Sequence, residues 1–127
     1  MDAKRYINEV LPIALKSGNK MLENNWTYQQ DGARPHTHHL SQKWCADHFP
    51  AFIPKDRWPP NSPDLCPLDY SLWNELAESM DWDNITTLIE EIKRSVKKIE
   101  KEKILHSVLD FTVRLRLIQK NGGEYIR

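Results

Sequence analysis

Hydrophobic residues recur at helical spacing near the start of the chain and throughout its last third. The first predicted helix covers residues 3–19, where apolar side chains return near the 3.6-residue period of an α-helix. These apolar positions are Tyr6, Val10, Ile13 and Leu15. Gly18 is the predicted stop signal of this helix, and Pro12 predicts a kink or a break within it.

Two short strands are predicted in the next part of the chain. Residues 26–30 are aromatic and β-branched, and the Asp31-Gly32 pair after them predicts a turn. Phe52 and Ile53, between two prolines, predict a second and very short strand. A helix over residues 36–49 is predicted between the strands. The side chains on one face of that helix are Leu40, Trp44 and His48.

The C-terminal part of the chain is predicted to be helical. One helix covers residues 69–80, where Leu72, Leu76 and Met80 are four residues apart. A second helix begins at a capping box formed by Thr87 and Glu90. Its apolar stripe consists of Ile85, Leu88, Ile89, Ile92, Val96 and Ile99.

A last predicted helix covers residues 103–119 and ends at the Gly122-Gly123 pair. Its apolar positions are Ile104, Val108, Phe111, Leu115 and Ile118. Seven of the eight prolines fall between Pro35 and Pro67, so residues 50–67 are predicted to be a rigid, mostly non-helical connection. The order helix, strand, helix, short strand and then helices predicts an α/β fold with a helix-rich C-terminal end.

The length of 127 residues suits one small domain or part of a larger one. A hydrophobic fraction of 39% predicts a thin core. No apolar run is long enough to cross a membrane, and the first residues do not resemble a signal peptide. Cys45 and Cys66 are too few for a disulfide framework, which favours a reducing compartment.

Positive charge is concentrated near the C-terminus. The chain has 18 basic and 18 acidic residues, and this balance excludes a uniformly basic nucleic-acid binder. Residues 88–127, however, carry ten Lys and Arg against six Asp and Glu. This excess could face nucleic-acid phosphates. The alternative is a solvated helix face with pairs of opposite charge four residues apart.

Two carboxylates stand at the ends of predicted elements. Asp31 follows the first strand, and Asp69 lies where the proline-rich segment gives way to a helix. Carboxylates at such ends hold hard divalent cations, because Mg²⁺ takes oxygen ligands. Two such ions can activate the attacking oxygen and stabilise the leaving oxygen in phosphodiester chemistry. A structural turn aspartate is the alternative interpretation of Asp31.

Two longer motifs contain these acids. Residues 26–36 read WTYQQDGARPH and resemble the W-x-x-Q-Q-D-x-A-x-x-H strand and turn of Tc/mariner transposases. Residues 58–70 read WPPNSPDLCPLDY and resemble the W-P-P-x-S-P-D-L-x-P-x-[DE] element of that superfamily, followed by its Trp at Trp73. The tail is similar to the family at Arg114-Leu115 and Gly122-Gly123. The 37 residues between the two acids resemble a long-spacing aspartate subgroup.

The resemblance implies the RNase H-like catalytic core of a cut-and-paste DNA transposase of the DDE/DDD type. In that family three acids bind two Mg²⁺ or Mn²⁺ ions and drive DNA strand cleavage and joining. By motif, Asp31 would be the second acid and Asp69 the third. Asp2 does not match the first acid, because it precedes a helix and not the expected strand. We therefore expect residues 1–127 to be an incomplete RNase H-like fold, the helix-rich C-terminal portion, without the first strands and without the family's N-terminal DNA-binding domain.

The resemblance also implies the site residues. Asp31 and Asp69 would be catalytic and would bind the metal. His36 occupies the motif's histidine, and the alternative is a histidine at a turn or helix start that is bonded to backbone. The predicted DNA contacts are Arg34, His36, Lys55 and Arg57 near the two motifs, together with Lys97, Lys98 and Lys101 in the tail.

Other polar residues have simpler interpretations. Asp64 is predicted to cap the turn that follows it rather than to bind metal. Because side chains alternate along a strand, either Gln29 or Gln30 must face away from the substrate. A zinc site built from the histidines and a cysteine between residues 36 and 48 would match no standard ligand spacing.

We expect a transposase-derived fragment whose ancestral activity is metal-dependent DNA cleavage and strand transfer. It should be inactive alone, because too few carboxylates remain to hold both ions. The expected partners are transposon-end DNA and a second copy or a full-length transposase, in the nucleus, with no membrane. A lone strand pair has open edges, so low stability is expected unless another chain completes the sheet. The alternatives are a non-catalytic DNA- or protein-binding remnant, or a pseudogene product.

Overall fold

The N-terminal helix begins where the Asp2 carboxylate accepts a hydrogen bond from the backbone N–H of Arg5, at 2.8 Å. The computed structural model describes residues 1–126. Helix α1 (Ala3–Arg5) continues through a π-helical turn (Tyr6–Val10) into α2 (Leu11–Leu22). The wide turn lies directly before Pro12, which has no N–H and whose ring would clash with the carbonyl of a regular helix. The irregularity predicted from Pro12 is therefore confirmed.

The predicted helix stop at Gly18 is wrong. Helix α2 continues to Leu22, and Gly18 is buried within it. The indole of Trp26 packs against the helix at this glycine, where only a residue without a side chain leaves room. The glycine is required by packing between elements, which outweighs its tendency to end a helix.

Two strands form a small parallel sheet. Strand β1 (Thr27–Tyr28) pairs with β2 (Ala51–Phe52) in the register Thr27 to Ala51 and Tyr28 to Phe52. The two predicted strands are confirmed, although both are short and β2 begins one residue earlier than predicted. The fold is helix-rich with a small parallel sheet, in agreement with the predicted α/β class.

Two helices connect the strands. The predicted helix over residues 36–49 is divided into α3 (Arg34–Thr37) and α4 (His39–His48). The division falls at His38, which has an extended backbone and accepts a hydrogen bond from the N–H of Leu40 at 3.3 Å. The buried residues of α4 each lie one position after a member of the face formed by Leu40, Trp44 and His48. Ser41 and Cys45 are buried on α4, whereas Leu40 is 51% exposed.

The core of this part of the molecule is small and aromatic. It consists of Tyr6, Leu11, Trp26, Cys45 and Phe49. The rings of Tyr28 and Phe49 stack with centroids 4.3 Å apart, and Trp26 meets Phe49 edge-on at 5.3 Å. The contact between Tyr28 and Phe49 joins β1 to the end of α4. The thin core predicted from composition is confirmed.

The chain divides into two compact units, residues 1–61 and a second unit that begins at Ser62. The second unit starts with a 3₁₀ turn (Pro63–Leu65) and a π-helical turn (Leu68–Leu72). Three helices follow: α5 (Trp73–Ser79), α6 (Leu88–Val96) and α7 (Lys101–Lys120). The predicted C-terminal helices and the mostly non-helical proline segment are confirmed.

Helix α6 begins as predicted, since the Thr87 hydroxyl accepts a hydrogen bond from the N–H of Glu90 at 3.3 Å. The predicted apolar stripe is only partly buried, since Ile85, Ile92 and Ile99 are half-buried. Glu91 and Ser95 are the buried residues of α6, whereas Ile89 in the predicted stripe is 67% exposed. The Glu91 carboxylate accepts hydrogen bonds from the N–H of Asp81 and from the Ser95 hydroxyl, both at 2.8 Å. This polar network holds a face next to that stripe against the rest of the unit.

Helix α7 is held through Ser107, its one buried residue among those described. The Tyr70 hydroxyl donates to the carbonyl of Ser107, and the hydroxyls of Ser71 and Ser107 are 2.7 Å apart. The helix ends as predicted. Gly122 and Gly123 have φ of 71° and 92°, and the N–H of Gly123 donates to the carbonyl of Ile118 at 2.9 Å, which is a Schellman-type cap.

Candidate functional site

The Asp31 carboxylate stands just beyond β1 and is 66% exposed. Its Oδ1 accepts a hydrogen bond from the N–H of Ala33 at 3.0 Å, which forms a turn closed by the side chain. The same oxygen lies 2.5 Å from Nδ1 of His36. Since the carboxylate accepts, Nδ1 carries a proton, and Nε2 of a neutral ring is left as an acceptor. The strand end and the start of α3 thus fix the direction of this carboxylate.

A network of largely buried polar side chains holds His36 in place. Its carbonyl accepts hydrogen bonds from Nε2 of Gln30 at 3.2 Å and from Nε2 of Gln42 at 2.9 Å. The Tyr6 hydroxyl donates to Oε1 of Gln30 at 2.6 Å, and the ring of Tyr6 lies 4.4 Å from the His36 ring. The network therefore holds both the backbone and the ring of His36.

The tyrosines of this network are kept protonated. Burial raises the pKa of Tyr6, and its hydrogen bond to the Tyr28 hydroxyl, at 3.0 Å, raises that pKa further. Burial also raises the pKa of Tyr28. A protonated Tyr6 can continue to donate to Gln30, so the support of His36 persists at neutral pH.

A pocket of about 200 Å³ adjoins Asp31 within the first unit. It is lined by Gln30, Asp31, Thr37, Gln42, Lys55 and Trp58, among others. Lys55 is anchored there, since its N–H donates to Oε1 of Gln42 at 3.0 Å and its Nζ lies 3.5 Å from the carbonyl of Thr37. A carboxylate for a cation and an ammonium for an anion thus line the same small cavity.

The other predicted contacts of the first unit are open to solvent. Arg34 lies on α3 and Arg57 in the segment after β2, and both are exposed. Among the described residues neither forms an ion pair with a carboxylate. These two guanidinium groups are therefore available to a phosphate.

Asp69 belongs to the second unit. It is exposed on the π-helical turn, and its N–H donates to the carbonyl of Cys66 at 2.9 Å. Burial raises the pKa of the Cys66 thiol, and a hydrogen bond to the Asp69 side chain adds to that rise. Because Asp31 and Asp69 belong to different units, a metal site shared by the two acids stays a prediction.

The predicted basic contacts of the tail lie around the junction of α6 and α7. Lys97, Lys98 and Lys101 are all exposed. Nζ of Lys98 lies 3.3 Å from the carbonyl of Ser79, so this lysine is partly engaged within the unit. Lys97 and Lys101 make no ion pair with any described residue.

Asp64 has a different role from the predicted turn cap. Its side chain is only 3% exposed, and Oδ2 accepts a hydrogen bond from the N–H of Ile126 at 3.0 Å. The carbonyl of Asp64 also accepts from Arg114 at 3.4 Å, and the Arg114 guanidinium lies 4.1 Å from the centre of the Tyr70 ring. This aspartate joins three parts of the second unit.

Tyr6 and Gln42 were missed as parts of the site. Both lie outside the motif, on the first helical segment and on α4, and neither has a distinctive sequence context. The alternation between Gln29 and Gln30 did indicate that one of them turns inward, and Gln30 is the buried one.

Within residues 1–126 no group of three or more His, Cys, Asp or Glu side chains is arranged to hold a metal ion. Cys45 is fully buried in the core, and Nδ1 of His48 contacts the carbonyl of Trp44 at 2.8 Å. In the same part of the chain no helix is both long enough and apolar enough to cross a membrane. Comparison with protein-family models, curated proteins and solved structures finds no match to this chain.

Proposed function

We propose that this chain is the C-terminal part of the catalytic region of a Tc/mariner-type transposase, and that it is inactive alone. The ancestral reaction is metal-dependent DNA strand cleavage and transfer. The two motifs around Asp31 and Asp69 support the family, and the helix-rich α/β architecture agrees with an incomplete RNase H-like fold.

The observation that carries the proposal is the fixed and exposed Asp31 carboxylate beyond a parallel strand. If Asp31 had only a structural role in the turn, its hydrogen bond from the N–H of Ala33 would be enough. Here the motif histidine, His36, also holds the carboxylate, and a buried network in turn holds His36. This extra support is what a metal ligand requires, because ligands are oriented by the groups behind them.

The donor atoms suit a hard divalent cation. Among the described residues both hydrogen bonds of the Asp31 carboxylate go to Oδ1, which leaves Oδ2 for a ligand. Asp69 contributes a second exposed carboxylate of the same class. Mg²⁺ or Mn²⁺ bound by these acids would activate an attacking oxygen and stabilise the leaving oxygen of a phosphodiester.

The remaining residues of the site orient the Asp31 carboxylate or bind the phosphate groups of DNA. His36 keeps Asp31 in one direction, and Lys55 beside the pocket offers an ammonium to a phosphate oxygen. Arg34 and Arg57 extend this contact surface. Two carboxylates cannot hold both ions, so cleavage by residues 1–127 alone is not expected.

A non-catalytic DNA-binding remnant is the second candidate. It is favoured by the exposed ammonium groups of Lys97 and Lys101, which make no ion pair with any described residue, beside Lys98. Binding of this kind depends on phosphate contacts and weakens steeply with salt. A protein-binding remnant and a pseudogene product complete the range of candidates.

The test combines metal binding with DNA nicking. Binding of Mn²⁺, followed by its electron paramagnetic resonance signal, should be weak and should be lost in Asp31→Asn but kept in Asp47→Asn, an exposed control. Supercoiled DNA with Mg²⁺ or Mn²⁺ should stay intact. Mn²⁺ binding that is unchanged in Asp31→Asn would overturn the ligand role of Asp31. Nicking by the wild-type chain that disappears in this variant would overturn the proposed inactivity.

A DNA-binding measurement distinguishes the non-catalytic DNA-binding remnant from the proposed transposase fragment. If it is correct, fluorescence anisotropy will detect salt-dependent binding that survives Asp31→Asn. Neutralising Lys97, Lys98 and Lys101 together should then weaken binding and reduce the slope of log K against log salt by about 0.9 per lost contact. Binding that is unaffected by all of these changes would exclude this basic surface.

A further inference from the structure

Helix α7 carries a row of exposed apolar side chains. Leu105, Leu109, Val113 and Leu117 are spaced four residues apart, and 56%, 59%, 50% and 42% of each residue's surface is exposed. Residues four apart on a helix lie above one another and form a continuous ridge. We call these four residues the α7 ridge.

The α7 ridge is not the surface that holds α7 in its unit. That attachment is made through Ser107, which contacts Tyr70 and Ser71. At about 100° per residue, Leu105 lies on the side of the helix away from Ser107, whereas Leu109 and Val113 border the groove that Ser107 and Tyr70 also line. A continuous apolar row left in solvent is typical of an interaction surface.

Opposite charges stand at equal distances on either side of the centre of the ridge. Glu102 precedes Leu109 by seven residues, and Arg116 follows it by seven, so both lie on the same side of the helix as Leu109. Both side chains are exposed, and neither forms an ion pair with any described residue. A carboxylate therefore lies near one end of the ridge and a guanidinium near the other.

We propose that the α7 ridge is the dimer interface of this chain, occupied by α7 of a second copy in antiparallel orientation. A two-fold axis at Leu109 brings the two Leu109 side chains together and sets Leu105 of each copy level with Val113 of its partner. The same axis sets Glu102 level with Arg116, twice. A parallel pair would instead bring Glu102 against Glu102, and like charges repel. The self-complementary charges thus select both the partner and its direction.

The area that two α7 helices can bury against each other determines how tightly the dimer is held. A helix of 20 residues is about 30 Å long. A stable interface needs about 1,000 Å² or more of buried surface, so one helix pair lies at the lower end of that range. We therefore expect a dimer with a dissociation constant in the micromolar range. At such a value both monomer and dimer are populated at concentrations that can be measured.

Sedimentation equilibrium of the full chain tests the interface. The mass should rise from 15.0 kDa toward twice that value as concentration increases. Leu109→Lys should weaken the dimer by about tenfold or more, because it buries a charge at the centre of the interface. Ile89→Lys on α6, which is also an exposed apolar position, should leave the dissociation constant unchanged. A mass of 15.0 kDa at every concentration would assign the ridge to another occupant and overturn the proposal.

Charge-reversal variants test whether the two α7 helices pair in antiparallel orientation. Glu102→Arg alone and Arg116→Glu alone should each weaken the dimer by about fivefold or more at low salt, since each creates two like-charge contacts. The double variant should restore wild-type affinity. Circular dichroism of each variant verifies that α7 still forms. If the double variant is no tighter than the single ones while remaining helical, the antiparallel pairing is wrong.

Discussion

The indole ring of Trp26 occupies the space that a side chain at Gly18 would fill. A Cβ placed on Gly18 would lie 2.4 Å from Cζ2 of that ring, which is far inside van der Waals contact. The ring is also anchored on the same helix, because its Nε1 donates to Oδ1 of Asn19 at 3.0 Å. The N-terminal helix and β1 are therefore joined by a contact that requires a glycine.

Gly18→Ala should destabilise the protein by about 1–3 kcal/mol, because the ring must move out of its packing. Without this contact the same change would stabilise a helix by about 1 kcal/mol. Urea unfolding followed by circular dichroism measures the difference. Lys16→Ala, at an exposed position of the same helix, should change stability by less than about 0.5 kcal/mol. An increase in stability for Gly18→Ala would contradict the packing described.

Tyr6 makes the stability of the first unit sensitive to alkali. Burial, and then the Tyr28 hydrogen bond, raise the pKa of Tyr6 above the value of about 10 that tyrosine has in an unfolded chain. The folded state binds this proton more tightly, so the stabilisation is complete below pH about 10 and is lost as pH rises toward the folded pKa. The free energy of unfolding should fall above pH about 10.

Tyr6→Phe is the matched test of this pH dependence. It should cost about 1–3 kcal/mol at pH 7, since Gln30 loses its buried donor. It should also make the alkaline decline shallower in urea unfolding series. Tyr125→Phe, an exposed control, should leave both unchanged. An identical alkaline decline in Tyr6→Phe would exclude Tyr6 as its source.

Glu91 should make the second unit sensitive to acid. The hydrogen bond from the N–H of Asp81 lowers the pKa of Glu91 below its ordinary value of 4.5, and those from Ser95 and Arg94 lower it further. The stabilisation is therefore present above that ordinary value and is lost as pH falls through the lower folded pKa. Urea midpoints between pH 7 and pH 3 should fall in the wild type and change less in Glu91→Gln. Glu90→Gln, at the exposed neighbour, should retain the wild-type acid profile.

The two thiols should differ in reactivity. Burial raises the pKa of Cys45 to about 11, and the side chain is fully enclosed, whereas Cys66 is partly exposed. Thiolates are the reactive form, and they must also be accessible. Iodoacetamide at pH 8 followed by peptide mass spectrometry should label Cys66 first and Cys45 only after unfolding. Cys66→Ser should abolish the early labelling, and equal labelling of both thiols would contradict the burial of Cys45.

Local chemistry made many features predictable. The Thr87 cap and the Gly122-Gly123 helix end depend on residues within a few positions, so the sequence contains the whole signal. The strand before Asp31 and the turn at Asp31 were predictable because an aromatic, β-branched stretch is followed there by Asp-Gly. His36 indeed contacts this carboxylate.

Contacts between distant segments explain what could not be predicted. Gly18 was interpreted as a helix stop because nothing near it in sequence indicates the ring of Trp26. The burial of Glu91 beside the apolar stripe of α6 could not be predicted, because its partner is a backbone N–H ten residues away, at Asp81. The contacts of Tyr6 and Gln42 with His36 could not be predicted for the same reason, since each of these residues lies on another helical segment.

The hydrogen bond between Asp64 and the N–H of Ile126 has a practical consequence for anyone who produces this protein. Because the buried carboxylate accepts a hydrogen bond from that donor, Ile126 belongs to the folded second unit. Removing Ile126 would leave Oδ2 of the enclosed Asp64 side chain without this hydrogen bond, which is costly. An expression boundary placed before Ile126 would therefore remove this donor and weaken the second unit.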